Sequence, residues 1–148
     1  MKSKIYPSFI FLAFLLVSSL SFSQVGINTT NPLSTLDING NLSVKTVTLN
    51  GTNTGGLGTA TLINDGVYIS VRPLAQDDKF QLPDPKLVPG RVYIIRNIQN
   101  SVTAQLTTAS ELLFPKNSTT GSTYIYMYGG TRRTVIVISD GLNWTYFD

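Results

Sequence analysis

The 148-residue chain contains no cysteine and no histidine, one tryptophan and, in Glu111, a single glutamate. Each absence removes a class of chemistry. Without thiol or imidazole there is no His-based triad, no thiol nucleophile and none of the usual zinc ligand sets. Disulfides are excluded, so the fold rests on packing alone. A glycosidase-type carboxylate pair needs two acids facing each other across a cleft. Here Asp65, Asp84 and Asp140 stand in turn sequences, and on one strand the adjacent Asp77 and Asp78 would diverge. Asp77, Asp78 and Asp84 are the nearest thing to a calcium ligand set, but no EF-hand or nonapeptide spacing accompanies them. They read as a solvated loop. The chain is therefore expected to be a non-enzyme with no metal and no cofactor.

Charge is also scarce, at 13% of residues. Lys2 and Lys4 precede an apolar run, Phe9 to Val17, and Ser21-Phe22-Ser23 supplies small residues at the positions a signal peptidase reads. Residues 1–23 are expected to be a cleaved signal peptide, leaving a chain that starts at Gln24 and is exported to the periplasm, the outer surface or the medium. The run from Ser8 to Phe22 is shorter than the ~20 residues of a spanning helix, so no membrane span is expected after cleavage. Two of the 11 basic residues lie in that segment, leaving nine against eight acids. Nucleic-acid binding needs a basic stripe, and none is left.

What the remaining chain does have is Asn, Thr, Ser and Gly, with short β-branched and aromatic runs between turn signals. No long stretch carries a helical period. The pattern is all-β, an antiparallel sandwich or barrel-like head. Residues 24–50 read as an N-terminal stalk or clasp that includes a strand at Lys45 to Asn50. Residues 51–58 read as a Gly-rich loop or linker and 59–148 as the head. Asp65-Gly66 and Asp140-Gly141 are dipeptides favoured in two-residue hairpin turns. They predict Leu62 opposite Ile69 and Ala60 opposite Val71, then Val137 opposite Trp144 and Val135 opposite Tyr146. Residues 91–98 form the strongest strand, apolar on both faces as far as Arg96. Val135–Ile138 is apolar on both faces and is expected to be central.

Val25-Gly26-Ile27-Asn28-Thr29-Thr30-Asn31-Pro32, followed by Leu36-Asp37-Ile38-Asn39-Gly40, resembles the VGIGTxxPxxxLDVNG element of secreted Bacteroidetes-type proteins and phage tail-fibre stalks, with Asn28 in place of the second glycine. Phe80 to Pro85, Gly90 to Asn97 and Ser139 to Trp144 are similar to the compact β heads that end many fibre-like proteins. The resemblance implies a fibrous, surface-exposed, trimeric architecture and carries no catalytic residues.

Two sets of residues are singled out. Leu33, Leu36 and Ile38 have too few apolar partners in one chain and are expected to be buried by copies of it, most simply in a homotrimer. Tyr124, Tyr126 and Tyr128 fall on one face of a strand. Aromatic faces with polar tips suit sugar rings, and they suit a sandwich core or a subunit interface equally well. Trp144 and Tyr146 form a second aromatic pair. The chain thus reads as an exported adhesive or structural β module that assembles with itself and meets a surface glycan or matrix. The alternative is a monomeric carbohydrate-binding module with the tyrosines as its platform.

Overall fold

The computed structural model describes residues 25–31 and 34–148. The expected signal segment and Leu33 lie outside them. Among the described residues no helix is long and apolar enough to cross a membrane. The chain divides into two compact units between Ser43 and Val44.

The first unit carries two three-residue strands, β1 (Val25–Ile27) and β2 (Leu36–Ile38), paired in parallel with Val25 opposite Leu36 and Ile27 opposite Ile38. The Val25 amide donates to the Thr35 carbonyl at 2.8 Å, and the Asn39 amide donates to the Ile27 carbonyl at 3.0 Å. Asn28, which stands where the resembled element has glycine, sits at φ 59. Asparagine is among the residues that tolerate this left-handed conformation. Its side-chain amide also donates to the Asn39 carbonyl at 3.0 Å, closing the loop onto itself.

The second unit is a two-sheet sandwich. Its strands are β3 (Thr46–Asn50), β4 (Thr61–Leu62), β5 (Tyr68–Arg72), β6 (Asp78–Leu82), β7 (Val92–Asn97), β8 (Ala104–Thr108), β9 (Leu113–Pro115), β10 (Tyr124–Met127), β11 (Thr134–Ser139) and β12 (Trp144–Phe147). One sheet has the order β3-β5-β7-β11-β12-β9, the other β10-β8-β6-β4. From β3 to β11 the chain changes sheet at every connection. Strands β3, β5 and β7 therefore lie parallel side by side, as do β4, β6 and β8. A parallel pair needs a long crossover, and here the crossover is a strand of the opposite sheet. Three turns of this coil are closed off by antiparallel pairing of β10 with β8, β11 with β7 and β12 with β11.

Alternating residues of most strands fill the space between the sheets. Ile69, Val71, Tyr93, Ile95, Val135, Val137 and Trp144 from the larger sheet meet Phe80, Leu82, Ala104, Leu106, Ile125 and Met127 from the smaller in one buried cluster. Trp144 packs against Tyr93 with ring centroids 5.9 Å apart, and its Nε1 donates to the Pro83 carbonyl at 3.2 Å.

The all-β class holds, and β11 is central as expected, with β7 and β12 on its two sides. Three expectations change. The sheets are mixed rather than antiparallel. Asp65-Gly66 does not join a hairpin: Leu62 pairs with Gln81, and Ile69 pairs with Val47 and Ile95. The turn instead carries the chain from one sheet to the other. Gly66 adopts φ +81 and is buried so closely that a Cβ would come 2.7 Å from Val47 Cγ2. At the C-terminus, Asp140 Oδ1 accepts from the amides of Leu142 and Asn143, at 2.8 and 2.6 Å. This builds a four-residue loop. The register therefore slides by two, to Ser139 opposite Trp144 and Val137 opposite Tyr146, which preserves the predicted faces.

The division between units also falls earlier than 50/51. Strand β3 is the edge of the larger sheet, and residues 51–58 are folded onto the head by Asp78. This carboxylate is fully buried. Its Oδ1 accepts from the amides of Thr54 and Gly55 at 3.1 and 2.8 Å, and its Oδ2 from those of Asn53, Leu74 and Ala75 at 3.2, 2.8 and 3.0 Å. A Cβ on Gly51 would meet Oδ2 at 2.1 Å, so the chain passes here only as glycine. Burial pushes the Asp78 carboxyl upward, but the amides of Ala75, Leu74, Gly55 and Asn53 outweigh it and hold the group below its ordinary value.

Replacing Asp78 with Ala strands five amides and is expected to cost about 3 kcal/mol or more in urea unfolding. The folded-state pKa is depressed, so this contribution is complete above the unfolded value of about 3.9 and is lost as pH falls through the lower folded value. The stability gap between wild type and Asp78→Asn should accordingly shrink on acidification from about pH 5 to pH 2. A gap independent of pH would refute the role given to the charge.

Candidate functional site

The outward face of the smaller sheet is where exposed aromatic and polar side chains converge. Strand alternation turns Ile125 and Met127 into the core and Tyr124, Tyr126 and Tyr128 outward. Tyr124 and Tyr128 are 42% and 46% exposed, and Tyr126 is half-buried between them. The three rings form a continuous row. Tyr124 meets Tyr126 edge to face with centroids 5.3 Å apart, and Tyr126 meets Tyr128 at 6.0 Å.

The neighbouring strands supply a polar floor. Register sets Thr107 opposite Tyr124 and Gln105 opposite Tyr126 on β8, and then Gln81 beside Thr107 and Lys79 beside Gln105 on β6. These positions alternate with the buried Phe80, Leu82, Ala104 and Leu106, so the core pattern itself turns them outward. Gly56, Gly58 and Ala60 rise along the far side. An open groove of about 470 Å³ results, bounded by Tyr124, Thr123 and Thr108 on one side and the Gly56–Ala60 loop on the other. The loop is held by the Asp78 carboxylate beneath it and by the Thr52 hydroxyl, which contacts Thr54 Oγ1 at 2.6 Å and donates to the Thr59 carbonyl at 3.2 Å.

Gln105 is the unusual member. It is only 8% exposed, lines the groove, and its Oε1 is buried with no hydrogen-bond partner. Buried amide oxygens are almost always satisfied, and leaving one open is unfavourable. Burial raises the Tyr126 phenol above its ordinary value, and the nearby Tyr124 and Asp77 add to the rise. Tyr126 therefore stays a neutral phenol at any ordinary pH. The groove offers hydroxyls, amides, one ammonium and one aromatic ring, Tyr124.

Of the residues singled out from sequence, the three tyrosines are brought together, Tyr124 and Tyr128 exposed and Tyr126 half-buried. Trp144 and Tyr146 are buried in the core. Leu36 is exposed and Ile38 half-exposed in the first unit, while Leu33 lies outside the described residues. The aspartates do not gather: Asp78 is spent on backbone amides rather than solvated, and Asp84 caps the turn Pro85–Leu87 by accepting from the Lys86 amide at 2.9 Å. No group of three potential metal ligands occurs among the described residues. Lys79, Gln81, Gln105, Thr107 and the Gly56–Ala60 wall were not foreseen. The usable signal was the polar half of two alternating strands, Lys79-x-Gln81 and Gln105-x-Thr107, whose adjacency depends on the parallel coil. Compared with protein-family models, with curated proteins and with solved structures, the chain matches none.

If Gln105 is kept for a ligand rather than for the fold, Gln105→Met should leave stability unchanged within about 1 kcal/mol, or raise it, because an unsatisfied polar atom is replaced by an apolar chain of similar length. A loss of more than about 2 kcal/mol in chemical denaturation would instead make Gln105 a structural residue.

Proposed function

We propose that this chain is an exported, non-enzymatic adhesive module whose β head binds a saccharide in the tyrosine-edged groove. The observation that carries this reading is the outward-facing row Tyr124-Tyr126-Tyr128, whose Tyr124 borders a groove floored by amides and hydroxyls. Tyrosine rings give flat apolar area with a polar tip, and Gln and Thr side chains both donate and accept, as sugar hydroxyls require. A pocket with convergent polar groups beside aromatic surface is the usual form of a small-ligand site. The signal-like segment 1–23 supports export, and the scarcity of catalytic residue types supports binding without turnover.

The first unit supports assembly, with residues 24–43 as a short stalk. Two strands of three residues do not hold together in water unaided, and Val25, Ile27 and Leu36 are all exposed. Copies of the chain, most simply three, would cover them. The larger sheet adds a second apolar surface, because Ile94, Ile136 and Phe147 lie in one outward row across β7, β11 and β12.

A glycan array probed with the exported protein is expected to give a defined set of positive saccharides, and Tyr124→Ala should weaken binding by about tenfold without lowering the melting temperature. No binding across the array, or loss of binding only together with unfolding, would refute the saccharide reading. Light scattering at micromolar concentration is expected to report a trimer, with Leu36→Asp moving the mass toward monomer. A wild-type monomer in which residues 24–42 are ordered would sink the assembly reading.

A further inference from the structure

The groove carries one charge. Lys79 lines its floor, and no carboxylate does. The ion pairs among the described residues are Lys45–Asp65, Lys86–Glu111 and Arg132–Asp148, so Lys79 is in none of them. It is nonetheless half-buried, between Gln105 on β8 and the β4 edge. The nearest acids are accounted for. Asp78, one residue away on the same strand, turns its carboxylate to the opposite face, where five amides neutralise it. Asp77 bears on Tyr126 at the tyrosine edge and does not line the groove. A lysine that lines a groove without a protein counter-charge is free to pair with a charged acceptor from outside.

The buried, unpartnered Oε1 of Gln105 points the same way, toward a ligand with hydroxyl donors as well as an anionic group. Gln105 sits directly between Tyr126 and Lys79 in the register, so the aromatic row and the ammonium are two strand spacings apart, ~10 Å at the backbone. Tyr124, the member of the row that lines the groove, spans the same two strand spacings one register step along, so a ring against Tyr124 and an acidic group at Lys79 fit one short saccharide.

We infer that the groove takes an acidic saccharide, with its carboxylate or sulfate ester paired to Lys79 Nζ, hydroxyls on Gln81, Gln105 and Thr107, and a ring face against Tyr124. This rests on the saccharide-binding reading and gives it a chemical class. It adds a source of selectivity that the tyrosines lack, since aromatic stacking accepts neutral and charged rings alike.

The test is titration calorimetry on the exported protein with three probes of equal length: a galacto-oligosaccharide, its uronate counterpart oligogalacturonate, and a sulfated galacto-oligosaccharide. At 50 mM salt at least one acidic probe should bind about tenfold more tightly than the neutral one, an advantage that shrinks by 500 mM salt as screening takes over. Lys79→Gln should abolish that advantage. The acidic probe that wins tells carboxylate from sulfate. Equal affinity for all three probes, binding of neutral glycans only, or a preference that survives Lys79→Gln overturns the inference while leaving saccharide binding intact. Silence with these probes and with the whole glycan array overturns both.

Discussion

The carboxylate of Asp78 is buried with no cation beside it, and five backbone amides take the place a salt bridge would fill. Those amides come from two separated stretches, residues 53–55 and 74–75. One is the long connection from β3 to β4, the other the corner from β5 to β6. A single side chain thus joins two successive turns of the coil at the point where each crosses between sheets. The close approach of Gly51, the left-handed turn at Gly55 and the ordering of a stretch rich in Gly, Thr and Asn all follow from that one anion. So does the far wall of the groove, which without it would be a loose connection rich in glycine and polar residues.

The strands were legible because each strand needs only its own alternation. Tyr68–Arg72, Val92–Asn97 and Thr134–Ser139 can be read directly from inward Ile, Val and Tyr. Their partners were not legible. Asp65-Gly66 has the local chemistry of a hairpin turn, and Gly66 does adopt positive φ, but a turn residue fixes how sharply the chain bends rather than which strand lies beside it. That choice was made at a distance, by the Ile63 amide reaching the Gln81 carbonyl and the Val67 amide reaching that of Lys45. Nor does the coil announce itself as a repeat. Thr46 aligns with Tyr68 and Tyr68 with Ile94, while Thr61 aligns with Phe80 and Asp78 with Ala104, so successive turns differ in length and leave no fixed period.

The same reasoning separates the two halves of the groove. Its aromatic edge comes from one strand, whose period-two tyrosines were legible as a row but not as core, interface or open surface. Its floor and far wall come from three other segments brought side by side by the coil. Only the pairing of β6 with β8 and β8 with β10 converts Lys79, Gln105 and Tyr126 into neighbours. The residues that decide between core and surface for the tyrosines, Ile125 and Met127, were present in the sequence. They settle the matter only once β10 is known to lie at the edge of the smaller sheet, with the core to one side.

The winding of the chain also bears on the order in which the fold can form. Within the head, β11 and β12 are joined by four residues, whereas joining β3 to β5 or β5 to β7 closes a loop of roughly twenty. On loop-closure entropy alone the short connection is favoured by about 1.5 kcal/mol. The C-terminal hairpin is therefore where pairing begins most cheaply, and β7 can then add to β11 and present an edge to β5. With so many long-range pairings, such a chain is expected to fold slowly. The wall of the groove belongs to the first turn of the coil, whose pairings close the longer loops.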